Sequence, residues 1–364
     1  MANKIIGLIG SGGKAGGGGE LVKSAYPDNV LFPPGYFEDI GTIWKKIELD
    51  SFSYVTCIKY LGGNEAICGT SGPAKLLRTI DRGKNWSEIN LGVNLNAVTS
   101  LEYLGNDIIV VSGIKSSGAP NTAIILKSVN RGISFNEIIL PATGISAATL
   151  KYAGNGLLFA GLSGIIGEGK ILKSTDYGSN FTAVVVDPVL DSIYSIEYLG
   201  NGIVLGGSGG SIGKGDIYRS IDFGVSFPTK IEIGPGIYRI QAIRNLGNGI
   251  ILAGSTGLSG SDGDIYRSTD NGISFPNKIE LGPGLEYVWC IEYIGNGVVF
   301  IGVGASTGDG DVMKSKDFGL SFVSIEMGPT LESIYAIADI GFGELLAGAA
   351  ESVGDGDIYR SVIY

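Results

Sequence analysis

Tyr266-Arg267-Ser268-Thr269-Asp270-Asn271-Gly272-Ile273-Ser274-Phe275 is written again and again along this chain, and its recurrence decides the fold. The pattern Ser-x-Asp-x-Gly-x-x-aromatic returns at Ser174 to Phe181 around Asp176, at Ser220 to Phe227 around Asp222, and at Ser315 to Phe322 around Asp317. Looser copies run from Thr79 to Trp86 around Asp81 and from Ser128 to Phe135, where Asn130 replaces the acid. Each position has a local job. Asp or Asn followed two residues later by Gly marks a tight turn between two strands. The Gly takes a backbone angle that other residues resist. The Asp carboxylate accepts hydrogen bonds from amides of its own turn, and the aromatic packs back on the sheet. A fixed repeat of this kind sets the architecture before anything else is read.

The Ser or Thr that opens each copy stands at Thr79, Ser128, Ser174, Ser220, Ser268, Ser315 and Ser361, 46 to 49 residues apart. Between copies lies an inner strand ending in a Gly-Asn turn, as in Val288-Trp289-Cys290-Ile291-Glu292-Tyr293-Ile294-Gly295-Asn296-Gly297. Seven such strands start near Tyr54, Ala97, Ala147, Ile193, Ile240, Val288 and Ile334. After each comes an apolar strand ending in small residues, such as Ile251-Leu252-Ala253-Gly254. The seventh copy is split. Asp357-Ile358-Tyr359-Arg360-Ser361 is its front half, and Asp39-Ile40-Gly41-Thr42-Ile43-Trp44, far upstream, is its rear half. The expected fold is therefore all-β: a seven-bladed propeller of four-stranded blades over residues 38–364. A strand near 41–49 closes the ring on the strand near 357–363, which removes exposed edges.

The repeated motif resembles the Asp-box, or bacterial neuraminidase repeat, of sialidases, sortilin-type receptors, some glucan hydrolases and photosystem assembly factors. The resemblance implies a propeller whose boxes lie away from the ligand face, with Asp39, Asp81, Asn130, Asp176, Asp222, Asp270 and Asp317 as structural box residues. Fold alone does not imply function.

The composition narrows the chemistry. The 364 residues include 61 Gly, no His and a formal net charge of −10. Such an acidic balance argues against nucleic acid, whose phosphates need a basic face. Without histidine the commonest general base and metal ligand are missing. Cys57, Cys68 and Cys290 make neither a disulfide framework nor a zinc site. Buried free thiols are expected, although Cys57 and Cys68 could face each other across one hairpin.

Two enzyme readings compete with that of a binding module. Sialidases clamp a substrate carboxylate with three arginines, but only Arg239 and Arg244 lie on or near an inner strand here. A glycosidase needs just two suitably separated carboxyl groups, and the loops offer Asp187, Asp191, Glu286 and Glu332. No catalytic residues are assigned. A second repeated motif puts Asp216, Asp264, Asp311 and Asp357 beside Gly; oxygen-rich clusters suit Ca²⁺, while Asp-Gly is also an ordinary turn signal. At the start of the inner strands Tyr54, Tyr194, Arg239, Tyr287, Trp289 and Tyr335 vary between blades. Exposed aromatics and Arg are usual interface anchors, and core filler near the axis is the competing reading.

Residues 1–37 differ from the rest. Lys4 to Gly10 is too short and Gly-broken for a signal core or a membrane span, and a Gly-rich stretch follows. Such a segment is a flexible tail unless something pins it. The expectation is an arm that docks to a protein partner. The function expected is a non-enzymatic recognition or structural module of a larger assembly, such as a virion or phage tail, on a virion or extracellular surface. It would display the propeller to a receptor, a glycan or a protein. The alternatives are an Asp-box glycoside hydrolase and a cytoplasmic assembly factor. No cofactor is expected beyond the weak Ca²⁺ candidate.

Overall fold

The computed structural model describes residues 40–49, 54–72, 74–116, 121–142, 144–164, 167, 169–210, 215–257, 262–305, 310–328, 331–351 and 356–361. The expected arm at 1–37 and the box residue Asp39 lie outside them. The described residues contain twenty-eight strands and no helix. Antiparallel pairing gathers the strands four by four into seven sheets, the blades of a β-propeller. The inner strands are Tyr54–Gly62, Leu95–Gly105, Ser146–Gly154, Ser192–Gly200, Ile237–Gly247, Tyr287–Gly295 and Leu331–Asp339. They begin within three residues of the expected positions.

The ring closes as the split motif requires. Trp44–Ile47 pairs antiparallel with Ile358–Ser361, joining Trp44 to Ser361 and Ile47 to Ile358, and so forms the outer strand of the seventh blade. Gly41 then sits where the other box glycines sit. A Cβ there would lie 2.5 Å from the Phe300 ring of the sixth blade, just as one at Gly272 would lie 2.8 Å from Leu205 of the fourth. The box turn thus docks each blade onto the preceding one.

Within the box at Ser268 the hydrogen bonds are those the sequence calls for. Ser268 Oγ donates to Asp270 Oδ1 at 2.7 Å, and that oxygen accepts the amides of Ile273 and Ser274 at 3.0 Å. Burial would raise the Asp270 pKa, but the bonds from Ser274, Ser268 and the turn amides outweigh it and hold the carboxyl at about 2. Asn271 and Gly272 both take left-handed backbone angles, φ 58° and 69°, which lets the turn reverse within so few residues.

The core lies between blades rather than within one. Leu205 and Ile217 of the fourth blade pack with Ile240, Ile251, Ala253 and Phe275 of the fifth. The second strand of each blade is covered on both faces, and for that reason reads as an unbroken apolar run. One position in it governs how closely blades approach. Gly69, Gly161, Gly207, Gly254, Gly302 and Gly348 pair with the inner strand of their own blade and face Val98, Ile193, Ile240, Val288, Ile334 and Val55 of the next. A Cβ at Gly254 or Gly348 would stand 2.5 Å from Val288 or Val55. The second blade alone has a side chain here, the fully buried Ser112. The next inner strand has compensated: Ala147 replaces the β-branched residue, and its carbonyl accepts a hydrogen bond from Thr99.

This complementarity predicts a coupled pair. Ala147→Val alone should overpack the interface and cost about 1–3 kcal/mol, whereas the same change with Ser112→Gly should recover much of that loss. A double-mutant cycle read by chemical denaturation checks it; additive effects would show that the two positions do not share a contact.

Candidate functional site

Among its register shifts, every inner strand has a β-bulge at one shared place. The register slips between Val55 and Cys57, and likewise in the other six blades, leaving Thr56, Thr99, Ala148, Tyr194, Gln241, Trp289 and Tyr335 without a strand partner. A bulge re-aims a side chain, and all seven of these residues line one axial cavity of about 630 Å³. The first three blades contribute small side chains to its wall. Blades four to seven contribute large ones.

The six residues singled out at the inner-strand starts come together on the large side. Tyr54 meets Tyr335 edge to face at 5.5 Å, Tyr335 meets Trp289 at 4.7 Å, and Trp289 stacks on Tyr287 at 5.0 Å. The arc continues to Arg239, whose guanidinium lies 4.6 Å from the Tyr194 ring and 4.7 Å from that of Tyr238. Tyr194, Arg239, Trp289 and Tyr335 line the cavity and are half-buried, whereas Tyr54, 38 % exposed, and Tyr287 flank it through their ring contacts. Trp289 is held by a hydrogen bond from Nε1 to Ser333 Oγ at 3.2 Å. Facing the arc, Thr56 Oγ1 lies 2.5 Å from the Val98 carbonyl, so the small wall spends its hydroxyl on the neighbouring blade.

Two buried polar atoms on the large wall, Arg239 Nε and Gln241 Oε1, have no hydrogen-bond partner among the described residues. One donates and the other accepts. Unsatisfied groups of this sort are uncommon in native proteins and call for an explanation. Sequence reading passed over Gln241 because it is neither aromatic nor charged; aligning the seven strands on the bulge finds it.

Three residues beyond each bulge stands a second ring: Lys59, Glu102, Lys151, Glu197, Arg244, Glu292 and Ala338. The signs alternate, and the pairs join neighbouring blades: Lys59–Glu102 at 2.7 Å, Lys151–Glu197 at 2.5 Å and Arg244–Glu292 at 2.8 Å. The alternation was legible in the sequence but was not read. Asp339 follows Ala338 and lines the cavity. Burial pushes its carboxyl up to about 7; the Gly341 amide lowers it, Glu292 adds to the rise, and Arg244 and Arg82 oppose it.

The other expected sites do not assemble. Asp216, Asp264 and Asp357 each face a lysine of their own blade's outer strand: Lys230 at 2.9 Å, Lys278 at 2.9 Å and Lys46 at 2.8 Å. Asp311 accepts from Ser324 Oγ at 2.6 Å. The expected cluster on one face is replaced by four separate contacts within blades. Among the described residues no group of three or more Cys, Asp or Glu side chains could hold a metal ion, so these carboxylates do not fit Ca²⁺. Cys57 and Cys68 also do not face each other: Cys57 pairs with Gly69 and Cys68 with Ile58. All three thiols are free, and burial pushes Cys57 and Cys290 up to about 12. Of the inner-strand arginines, Arg239 stands in the aromatic arc and Arg244 in the charged ring. Asp187 accepts the Tyr218 hydroxyl at 3.0 Å.

No protein-family profile matches the sequence, and no curated protein matches it. Solved structures do. The chain is similar to YCF48 bound to D1 peptide, at TM-score 0.63 and 18 % identity, covering 88 % of this chain and 97 % of that one. It is similar to the GH74 xyloglucanase from Xanthomonas campestris, at TM-score 0.64 and 15 % identity over 85 % of this chain and 52 % of that enzyme. The RRP9 WD40 repeats match at TM-score 0.66 and 9 % identity, covering 90 % of this chain and 99 % of that one. The shared property is the propeller fold.

The Asp339 environment predicts a pH-dependent stability. Its carboxyl titrates near 3.8 in an unfolded chain and at about 7 when folded. Between those values the native state holds a proton that the unfolded chain releases, so stability falls as pH rises from about 4 to 7. Asp339→Asn should therefore raise Tm at pH 8 and leave it nearly unchanged at pH 4. Equal shifts at both pH values would contradict this assignment.

Proposed function

We propose that the chain is a non-catalytic recognition module that binds a peptide segment of a protein partner at the aromatic mouth of its channel. The observation that carries this reading is the asymmetric wall: an arc of rings with Arg239 Nε and Gln241 Oε1 unpaired, opposite a wall of small residues. The rings supply rigid apolar area for the side chains of a peptide, and Arg239 Nε and Gln241 Oε1, buried in the same wall, are a donor and an acceptor that the described residues leave without a partner. A cavity of about 630 Å³ lies within the usual range for ligand sites. That a propeller of similar fold, YCF48, is found bound to a peptide supports the same use of this scaffold. The charged ring supports a role without catalysis, since Glu102, Glu197 and Glu292 are each held by a cation from the adjoining blade.

The wider role we propose is display of this mouth on a larger assembly through residues 1–37, a Gly-rich segment unlike the repeats that follow it. Comparing the solution mass of the full chain with one lacking those residues tests it: only the full chain should associate.

For the mouth, a peptide-display library selected on the full chain should yield peptides whose binding falls at least tenfold with Trp289→Ala. Selected peptides indifferent to Trp289→Ala would place the binding surface elsewhere. Binding of glycans in place of peptides, or cleavage of a glycoside, would replace the reading with a carbohydrate one.

A further inference from the structure

The charged ring has seven places and alternates in sign. Seven is odd, so complete alternation cannot close: a seventh charge would always meet one like neighbour. The chain leaves the seventh place to Ala338, between Glu292 of the sixth blade and Lys59 of the first. The three cations and three anions of the ring are paired off, and Asp339 is left over. It accepts one hydrogen bond, from the Gly341 amide at 2.8 Å, and among the described residues it has no ion pair.

The cavity reaches the ring at this gap. Lys59, Glu102, Arg244 and Glu292 line it together with Ala338 and Asp339, whereas Lys151 and Glu197, on the far side of the axis, do not. The charged groups on the cavity side of the ring therefore sum to one net negative charge when Asp339 is ionised. Three residues, or roughly 10 Å, along the strands, Trp289 and Tyr335 line the same cavity and pack against each other. Aromatic faces attract a cation on its way in and bury an aliphatic stem once it has passed.

We infer that the gap at Ala338 is a pocket for one basic side chain, arginine or lysine, inserted along the channel from the bound segment. The stem would lie against Trp289 and Tyr335, and the head would stand at the vacant place in the ring, beside Asp339 and Glu292. This rests on the peptide-binding reading and names the residue type that the site selects. Charge supports it. Asp339 is carried as a half-protonated acid near neutral pH by burial, with Glu292, Arg244, Arg82 and Tyr60 as its titratable neighbours. A cation at the gap would favour its ionised form and release a proton on binding.

The test uses the full chain and blocked single residues: N-acetyl-arginine methylamide, its lysine counterpart, and the citrulline analogue, which keeps the shape and lacks the charge. Calorimetric titration at pH 7 should show saturable binding of the arginine or the lysine probe, at least tenfold stronger than that of citrulline. The measured heat should vary with buffer ionisation enthalpy, as proton release requires, and affinity should fall as pH is lowered below about 7. Asp339→Asn should weaken binding at least tenfold and abolish the buffer dependence. Ala338→Arg, which fills the gap from within, should abolish binding; if that variant does not fold, Asp339→Asn decides alone. Citrulline bound as tightly as arginine, or Asp339→Asn without effect, would overturn the inference. Library peptides that depend on Trp289 yet carry no basic residue would overturn it while leaving the recognition reading intact. Failure of every probe and every peptide would remove both.

Discussion

The structure depends on how near one blade can come to the next, and that distance is fixed by a missing atom. Six second strands place a glycine opposite the neighbouring blade's Val or Ile, and a methyl group there would overlap it. The apolar faces of adjacent blades can then interlock at the density of a protein interior. Because the core is made only between blades, a single blade has little to bury against itself. The bulges lie beside this close approach, and each turns one residue of the inner strand out of its ladder and toward the axial cavity.

The axis thus collects seven side chains that pairing does not constrain. The fold needs their positions and not their identities, which leaves room for function. Blades one to three carry Thr56, Thr99 and Ala148; blades four to seven carry Tyr194, Gln241, Trp289 and Tyr335. The scaffold is nearly symmetric, and the uneven cavity wall arises from departures from that symmetry. The box turns on the outside contribute none of this. Their carboxylates are consumed by their own amides and hydroxyls, as Asp270 shows.

Much of this was legible because the decisive signals are local. The box at Ser268 to Phe275 is one turn, readable without knowing what it packs against, and the split copy at Ser361 and Gly41 revealed the closure. The six residues at the inner-strand starts were visible as positions where the repeats diverge. Less was legible where meaning depends on register. Tyr54, Arg239 and Tyr287 lie two residues before the bulge, while Tyr194, Trp289 and Tyr335 occupy it; the sequence does not show where a ladder slips. Gln241 was lost for that reason. The aspartates at 216, 264 and 357 looked like a shared oxygen cluster because their lysine partners lie on the outer strand, across a turn whose pairing only the structure displays.

Closure by Trp44–Ile47 sets an order of events during synthesis. That strand leaves the ribosome before any of these seven blades is complete, and the strand it pairs with, Ile358–Ser361, is made more than three hundred residues later. Blades one to six can form as they emerge, each stacking on the one before, while the first-made strand waits unpaired. The ring is sealed by its most distant contact, a slow kind of pairing. Until then the partly built stack exposes an apolar face at each end, the surface on which two growing chains would join.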